Sequence, residues 1–267
     1  MRKNQKISIR DYWNERAKGA SLKGDSPQAT TDDIYLRSLE AVVLDNAIKS
    51  INKNKIKVLD IGCGDGLTTC RLSQNEKIHS ITGIDYSEEM IEIAIRRKAE
   101  LKASHLDFQV GNALELASKD DEGYDLIITN RCLINLESWE DQKKAISKIY
   151  DSLVFGGSYF ATENFIDGHN NMNELRRSLG LMEIPVRWHN LFYEDKQYFE
   201  YSSSIFNEVI VENFASSYYY ITRGVYSKLC NVTGDIIDYN NNLHKIAVDF
   251  PSFGNFAPLK FVRHLKS

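Results

Sequence analysis

The stretch VLDIGCGDGLTT, Val58 to Thr69, constrains the fold of this chain more than any other. An apolar run breaks into three alternating glycines, Gly62, Gly64 and Gly66, and an acid, Asp60, stands two residues ahead of the first. The pattern predicts a buried strand that passes through a glycine loop into a helix. Glycines suit such a loop because the missing Cβ atoms let backbone N–H groups approach a bound nucleotide closely.

The alternation continues along the chain. Apolar runs at 56–62, 79–85, 106–112, 124–130 and 157–165 predict buried strands. Between them, Ser87 to Lys98 carries the stripe Met90, Ile91, Ala94 and Ile95, and a second helical pattern spans Glu140 to Leu153. Ser87 is placed to cap the first of these helices, with Glu88 and Glu89 in the turn where the helix dipole favours anions. Strand, helix and strand at this spacing predict a doubly wound α/β fold with a mostly parallel sheet. The first 55 residues read as helices around a polar loop at 18–33, and 205–229 reads as two β-rich runs of an antiparallel hairpin. A helix is expected at Asn171 to Leu179, and 250–258 is too broken by proline for a central element. The expected organisation is a helical cover at 1–50, a nucleotide-binding domain at 51–229 with a lid or acceptor insertion at 166–204, and a covering extension at 230–267.

Composition excludes several classes. The 267 residues are 42% hydrophobic and 26% charged, as in an ordinary globular protein. No run approaches the roughly 20 apolar residues a bilayer span needs, and the start reads as neither secretory signal nor anchor, so a cytoplasmic address is expected. Cys63, Cys70, Cys132 and Cys230 share no metal-site spacing, and no metal is expected. The net charge of −4 offers no field for nucleic acid, and the basic ends (Arg2, Lys3, Lys6, Arg10; Lys260, Arg263, Lys266) read as solvated tails.

Two ligand classes compete for the loop. A dinucleotide site would spell GxGxxG and offer its helix to an anionic pyrophosphate, beside which Asp60 and Asp65 would repel. S-adenosylmethionine reverses that argument, because its ammonium and sulfonium welcome a carboxylate. Asp85 ends the second predicted strand, where an acid accepts hydrogen bonds from both ribose hydroxyls. Asn112, after the third, can meet the adenine amino edge through its side-chain oxygen, and Asn130, after the fourth, overlooks the crevice.

Together these residues resemble the class I S-adenosylmethionine-dependent methyltransferases over about 40–229. VLDIGCGDG matches the family's DxGxGxG loop, GIDYSEEMI its ribose acid and following helix, GNA its adenine contact, and LVFGGSYF the turn into its fifth strand. The resemblance implies a seven-stranded sheet and S-adenosylmethionine as cofactor. The loop residues Asp60, Gly62, Cys63 and Gly64 would hold its methionine part, Asp85 the ribose, Tyr86 and Met90 the adenine faces, and Asn112 with Ala113 the adenine edge. Asn112 departs from the family, which more often has aspartate. DYWNERA resembles the aromatic N-terminal helix that many members fold over the cofactor, which adds Tyr12 and Arg16.

For the acceptor the stretch IPVRWHNLFY stands out. Arg187 can bind a carboxylate or phosphate, Trp188 offers a flat face to a sugar or ring, and His189 can serve as general base. The bland alternative has Trp188 plugging the lid's own core while His189 caps a turn. Glu163 and Asn164, ending the fifth strand, are expected to face the same crevice as rival polar candidates. His79 and His105 read as packing or capping residues, and His264 falls in the basic tail. Residues 173–193 resemble a segment of bacterial methyltransferases associated with surface-glycan synthesis. The leading expectation is O-methylation of a small molecule or sugar, with no nucleic-acid or membrane partner. The alternatives are a non-catalytic S-adenosylmethionine-binding protein and an NAD-dependent oxidoreductase.

Overall fold

The structure, a computed structural model, describes residues 7–27, 29–116 and 123–267. Arg2, Lys3 and Lys6 of the basic N-terminal end lie outside those residues. The strands are β1 (Ile56–Ile61), β2 (Ile78–Asp85), β3 (Leu106–Val110), β4 (Tyr124–Asn130), β5 (Leu153–Asn164), β6 (Glu208–Glu212) and β7 (Leu259–Leu265). They form one sheet in the order β3-β2-β1-β4-β5-β7-β6. β1 to β5 run parallel, and β7 is antiparallel to both its neighbours. The order reverses between β1 and β4, and that reversal opens a crevice at the carboxyl ends of the strands.

Helices cover both faces. They are α1 (Ile9–Ser21), α2 (Ile34–Ser50), α3 (Leu67–Leu72), α4 (Glu88–Leu101), α5 (Trp139–Ser152), α6 (Ile166–Ser178), α7 (Asp195–Ile205), α8 (Ser216–Tyr219), α9 (Tyr226–Thr233) and α10 (Asn242–Ala247). The strand period of two divides the core. Leu126 and Ile128 of β4 join Leu44, Ile48, Ile91 and Ala94 of α2 and α4, whereas Ile127 joins Ala145, Ile146 and Ile149 of α5 on the other face. Ser87 caps α4 as its position implies, its side chain accepting the Met90 N–H at 3.2 Å. α2 therefore belongs to the sheet's own helical layer, and the boundary expected at residue 50 cuts through a core cluster. α1 is the outer cover, packing Ala17 and Ala20 on Met90 and Ile93 of α4.

The region after β6 departs from expectation. The second β-rich run is helical: α8, a π-helical stretch at Tyr220–Val225, and α9. Its tyrosines, isoleucine and valine favour strands, but the buried positions Tyr218, Thr222, Tyr226 and Cys230 recur every four residues, and burial overrides propensity. The partner of β6 is instead β7, which threads between β5 and β6. The C-terminal end is therefore not a solvated tail. Lys260 is buried and ion-paired with Asp195 at the start of α7. His264 is buried between the Tyr198 hydroxyl (Nε2, 3.0 Å) and the Tyr159 carbonyl (Nδ1, 3.1 Å), and burial pushes its pKa down to about 4.

Removing one partner of a buried ion pair strands the other charge. Asp195→Ala is therefore expected to lower the unfolding free energy in urea by about 3–5 kcal/mol, and the double variant Asp195→Leu with Lys260→Met by clearly less. Equal losses in the two variants would show that packing, not the stranded charge, sets the effect.

Candidate active site

The glycine loop is shaped by what surrounds it. Gly62 has φ +72°, and a Cβ there would lie 2.3 Å from Cys132 Sγ; a Cβ on Gly64, at φ +55°, would lie 2.9 Å from a Thr30 methyl. No larger residue fits without displacing a wall. Asp85 fixes the loop from below, accepting the Gly64 N–H (3.0 Å) on one oxygen and the Ser87 N–H (2.9 Å) on the other. Asp60 accepts a 2.6 Å hydrogen bond from the Thr69 hydroxyl. Burial pushes both carboxyls up to about 6. It also raises the Cys63 thiol and the Tyr86 phenol.

The loop opens on a cavity of about 610 Å³. Asp60, Gly62, Cys63, Gly64, Asp85, Tyr86, Met90, Asn112, Ala113 and Asn130 all line it. The Asn112 oxygen already accepts the Leu114 N–H at 3.0 Å, so an adenine contact there would use its remaining lone pair. Asp65 does not line the cavity. It is wholly buried between Arg37 and Arg97, so it exerts no uncompensated repulsion on a ligand there.

Other positions fall elsewhere than expected. Tyr12 does not line the cavity; its ring stacks on His189 at 4.4 Å, while the next residue, Trp13, reaches the cavity wall. Arg16 lies on the same helical stripe as Tyr12 and bonds the Ala29 carbonyl (3.0 Å) and Asp32 (3.6 Å). Trp188 is 55% exposed, edge-on to Tyr12 and His189, and is neither a platform in the cavity nor a core plug. Glu163 and Asn164 alternate along β5, so only Asn164 reaches the crevice. Glu163 is wholly buried, and its Oε1 accepts the N–H groups of Cys132 and Leu133, both at 3.1 Å. Burial raises its pKa to about 7.

His189 and Arg187 do line the cavity. The imidazole is buried, its Nδ1 has no hydrogen-bond partner among the described residues, and burial, with Arg187 and Arg16 nearby, lowers its pKa to about 4. Sequence reasoning missed the far wall. Arg131 after β4, His169 and Met172 of α6, Phe192, Tyr219, Arg223 and Tyr239 all contribute to it. His169 is held by Asn173, at 3.2 Å from its Nε2. A signal did exist: Asp33, Arg37 and Glu40 place charges at helical spacing along the apolar stripe of α2, and buried charges demand partners. Among the described residues no group of three or more His, Cys, Asp or Glu is placed to hold a metal, and no helix is long and apolar enough to cross a membrane.

A glycine loop after β1, an acid ending β2 and a crevice at the sheet's reversal define a nucleotide-binding α/β enzyme domain. Residues 52–197 match the family described as Methyltransferase domain, and the chain belongs to that family, whose cofactor is S-adenosylmethionine. It is 29% identical over 125 residues to a demethylmenaquinone methyltransferase of Leptospira interrogans, covering 45% of this chain and 49% of that protein. It is 28% identical over 155 residues to a ubiquinone biosynthesis O-methyltransferase of Coxiella burnetii, covering 58% of this chain and 57% of that protein. The chain thus spans about half the length of the curated relatives it matches. Its fold is similar to that of magnesium protoporphyrin IX methyltransferase from Synechocystis PCC 6803 with bound SAH, at TM-score 0.61 and 15% identity over 97% of this chain and 98% of the other.

The residues fit the cofactor: a glycine cradle that a Cβ would fill, and two buried carboxyls in the cavity wall that could receive a cationic amino acid and a ribose. Both contacts are strongest with the charged carboxylate. Affinity for S-adenosylhomocysteine, measured by calorimetry, is therefore expected to fall between pH 7 and pH 5, by about tenfold for each carboxyl near 6 that the ligand needs ionised. Unliganded stability runs the other way: a carboxyl raised by burial contributes stability below its unfolded value near 4 that is lost as pH rises through about 6. An affinity that stays flat over this range would mean that neither acid meets the ligand.

Proposed function

We propose that this chain transfers the methyl group of S-adenosylmethionine to an oxygen of a small molecule. One observation carries the reading: a single cavity joins the glycine-loop wall to a second wall of polar and aromatic side chains, room for an acceptor beside the cofactor. The names of the quinone methyltransferases it resembles support a small-molecule acceptor. A sugar acceptor in surface-glycan synthesis rests on the resemblance of 173–193 alone, and the outward turn of Trp188 removes the platform on which it was read.

When bound, S-adenosylmethionine supplies a methyl on a sulfonium already activated for displacement. What remains for the protein is alignment, worth roughly 7–11 kcal/mol, and management of the acceptor's proton. Asp60 and the loop N–H groups hold the amino acid end, Asp85 the ribose, and Tyr86, Met90, Asn112 and Ala113 the adenine. His189 faces the acceptor as a neutral imidazole across the working pH range. Its low pKa makes it a weak proton sink, so it contributes at the lower end of what a general base supplies. Glu163 acts beneath the surface, fixing the turn after β4. Tyr12 and Trp188 act through His189 by packing its ring.

Incubation with methyl-labelled cofactor and a panel of phenols, hydroxy acids and sugars tests the reading, and transfer of label to none of them would favour a non-catalytic binding protein. Asp85→Ala is expected to weaken S-adenosylhomocysteine binding by about 2–4 kcal/mol, because charge-assisted bonds to the ribose and to Gly64 go together. His189→Ala is expected to lower turnover about 10²-fold with cofactor affinity unchanged. The wild-type rate should show no histidine inflection between pH 6 and 8; one in that window that vanishes in His189→Ala would contradict the imidazole's environment.

A further inference from the structure

We propose that Arg131 selects the methyl acceptor, and that it selects a molecule bearing a carboxylate. The proposal rests on the methyl-transfer reading above. Arg131 follows the last residue of β4 with φ +51°, a left-handed conformation uncommon outside glycine. Its N–H donates to the Thr162 carbonyl at 2.7 Å, its carbonyl accepts from Asn135 Nδ2 at 2.8 Å, and Glu163 holds the next two N–H groups. The guanidinium is held as well: Nη2 donates to Glu40 Oε2 at 3.2 Å, and Nε lies 2.9 Å from Oε1 in the same ion pair without a hydrogen bond between them, on a carboxylate that is fully buried on α2.

A buried ion pair adds little to stability, so this arrangement is better explained by where it points the arginine. The one hydrogen bond to Glu40 uses Nη2 and leaves the Nη1 donors, on a residue that lines the cavity. Arg223, on the same wall, is engaged by Asp33 and His244 and stacks near Tyr219 and Tyr239, so it shapes the wall rather than receiving an anion. Asn164 adds an independent sign of a ligand: it lines the cavity, is 8% exposed, and its Oδ1 has no partner among the described residues. The acceptor thus carries a planar carboxylate for Arg131, a flat apolar body for Phe192, Tyr219 and Tyr239, and a hydroxyl or amine that donates to Asn164.

Benzoate and benzamide have the same shape and differ in charge, which makes them direct probes. In NMR titrations of the chain saturated with S-adenosylhomocysteine, benzoate is expected to bind at least about tenfold tighter than benzamide, the range of a charge-assisted hydrogen bond. Arg131→Gln should reduce that preference to below about threefold with S-adenosylhomocysteine affinity unchanged; Arg131→Lys, which keeps the charge and loses the fork, should fall between. Equal binding of the two probes to the wild type, or binding of neither, overturns the assignment, as does a preference undiminished in both variants. Loss of S-adenosylhomocysteine binding in Arg131→Gln with the benzoate preference intact also overturns it, because Arg131 would then be reading the cofactor's own carboxylate. Failure of the wild type to bind S-adenosylhomocysteine at all would sink the methyl-transfer reading instead, and the assignment with it.

Discussion

Three charges, on the first two turns of α2 and the residue that caps it, hold the walls of the cavity together. Asp33 pairs with Arg223 of the C-terminal cap, Arg37 with Asp65 of the glycine loop, and Glu40 with Arg131 after β4. These residues share one helix face, so a rigid rod sets the spacing of three segments far apart in sequence. All three are nearly or wholly buried, so losing the partner of any one of them would leave an uncompensated charge in the interior. The Tyr218 hydroxyl adds a 2.7 Å bond to Asp33, fastening the cap a second time. Asp85 does for the cofactor side what α2 does for the whole. By tying Gly64 to Ser87, it couples the loop after β1 to the start of α4, so the cradle is formed before any ligand arrives.

The parts of this molecule that were legible in the sequence are those whose signal is local. The parallel strands are continuous apolar runs, Ser87 is a cap beside the helix it starts, and the acids and asparagines of the crevice each end a strand. The far wall of the cavity was not legible, because its logic is pairwise between distant positions: Glu40 with Arg131, Asp33 with Arg223. The charges on the apolar stripe of α2 signal that partners exist, but not which distant residues supply them. The helical stretch 216–233 misled for another reason, since its composition favours strands and only the four-residue recurrence of Tyr218, Thr222, Tyr226 and Cys230 betrays the helix. At Glu163 and Asn164 the error was one of parity: neighbours on a strand face opposite sides, and only one can meet the crevice. Trp188 looked like a platform because it is aromatic, but it stands half exposed and edge-on to Tyr12, whose face stacks on the neighbouring His189.

The threading of β7 between β5 and β6 has a consequence for how the protein is made. Until residues 259–265 emerge from the ribosome, β5 and β6 have no partner in common and each exposes an unpaired edge. The first five strands pair in parallel across long stretches of chain, and β6 joins them only through β7, so the sheet is complete only when β7 pairs with both β5 and β6. His264, Lys260 and Phe261 are buried by that pairing, against Tyr198, Asp195 and the core around β1 and β4. Because the C-terminal cap carrying Tyr219, Arg223 and Tyr239 lies between β6 and β7 in sequence, the acceptor wall is completed in the same late step. The strand that completes the sheet therefore also anchors the segment that closes the far side of the cavity.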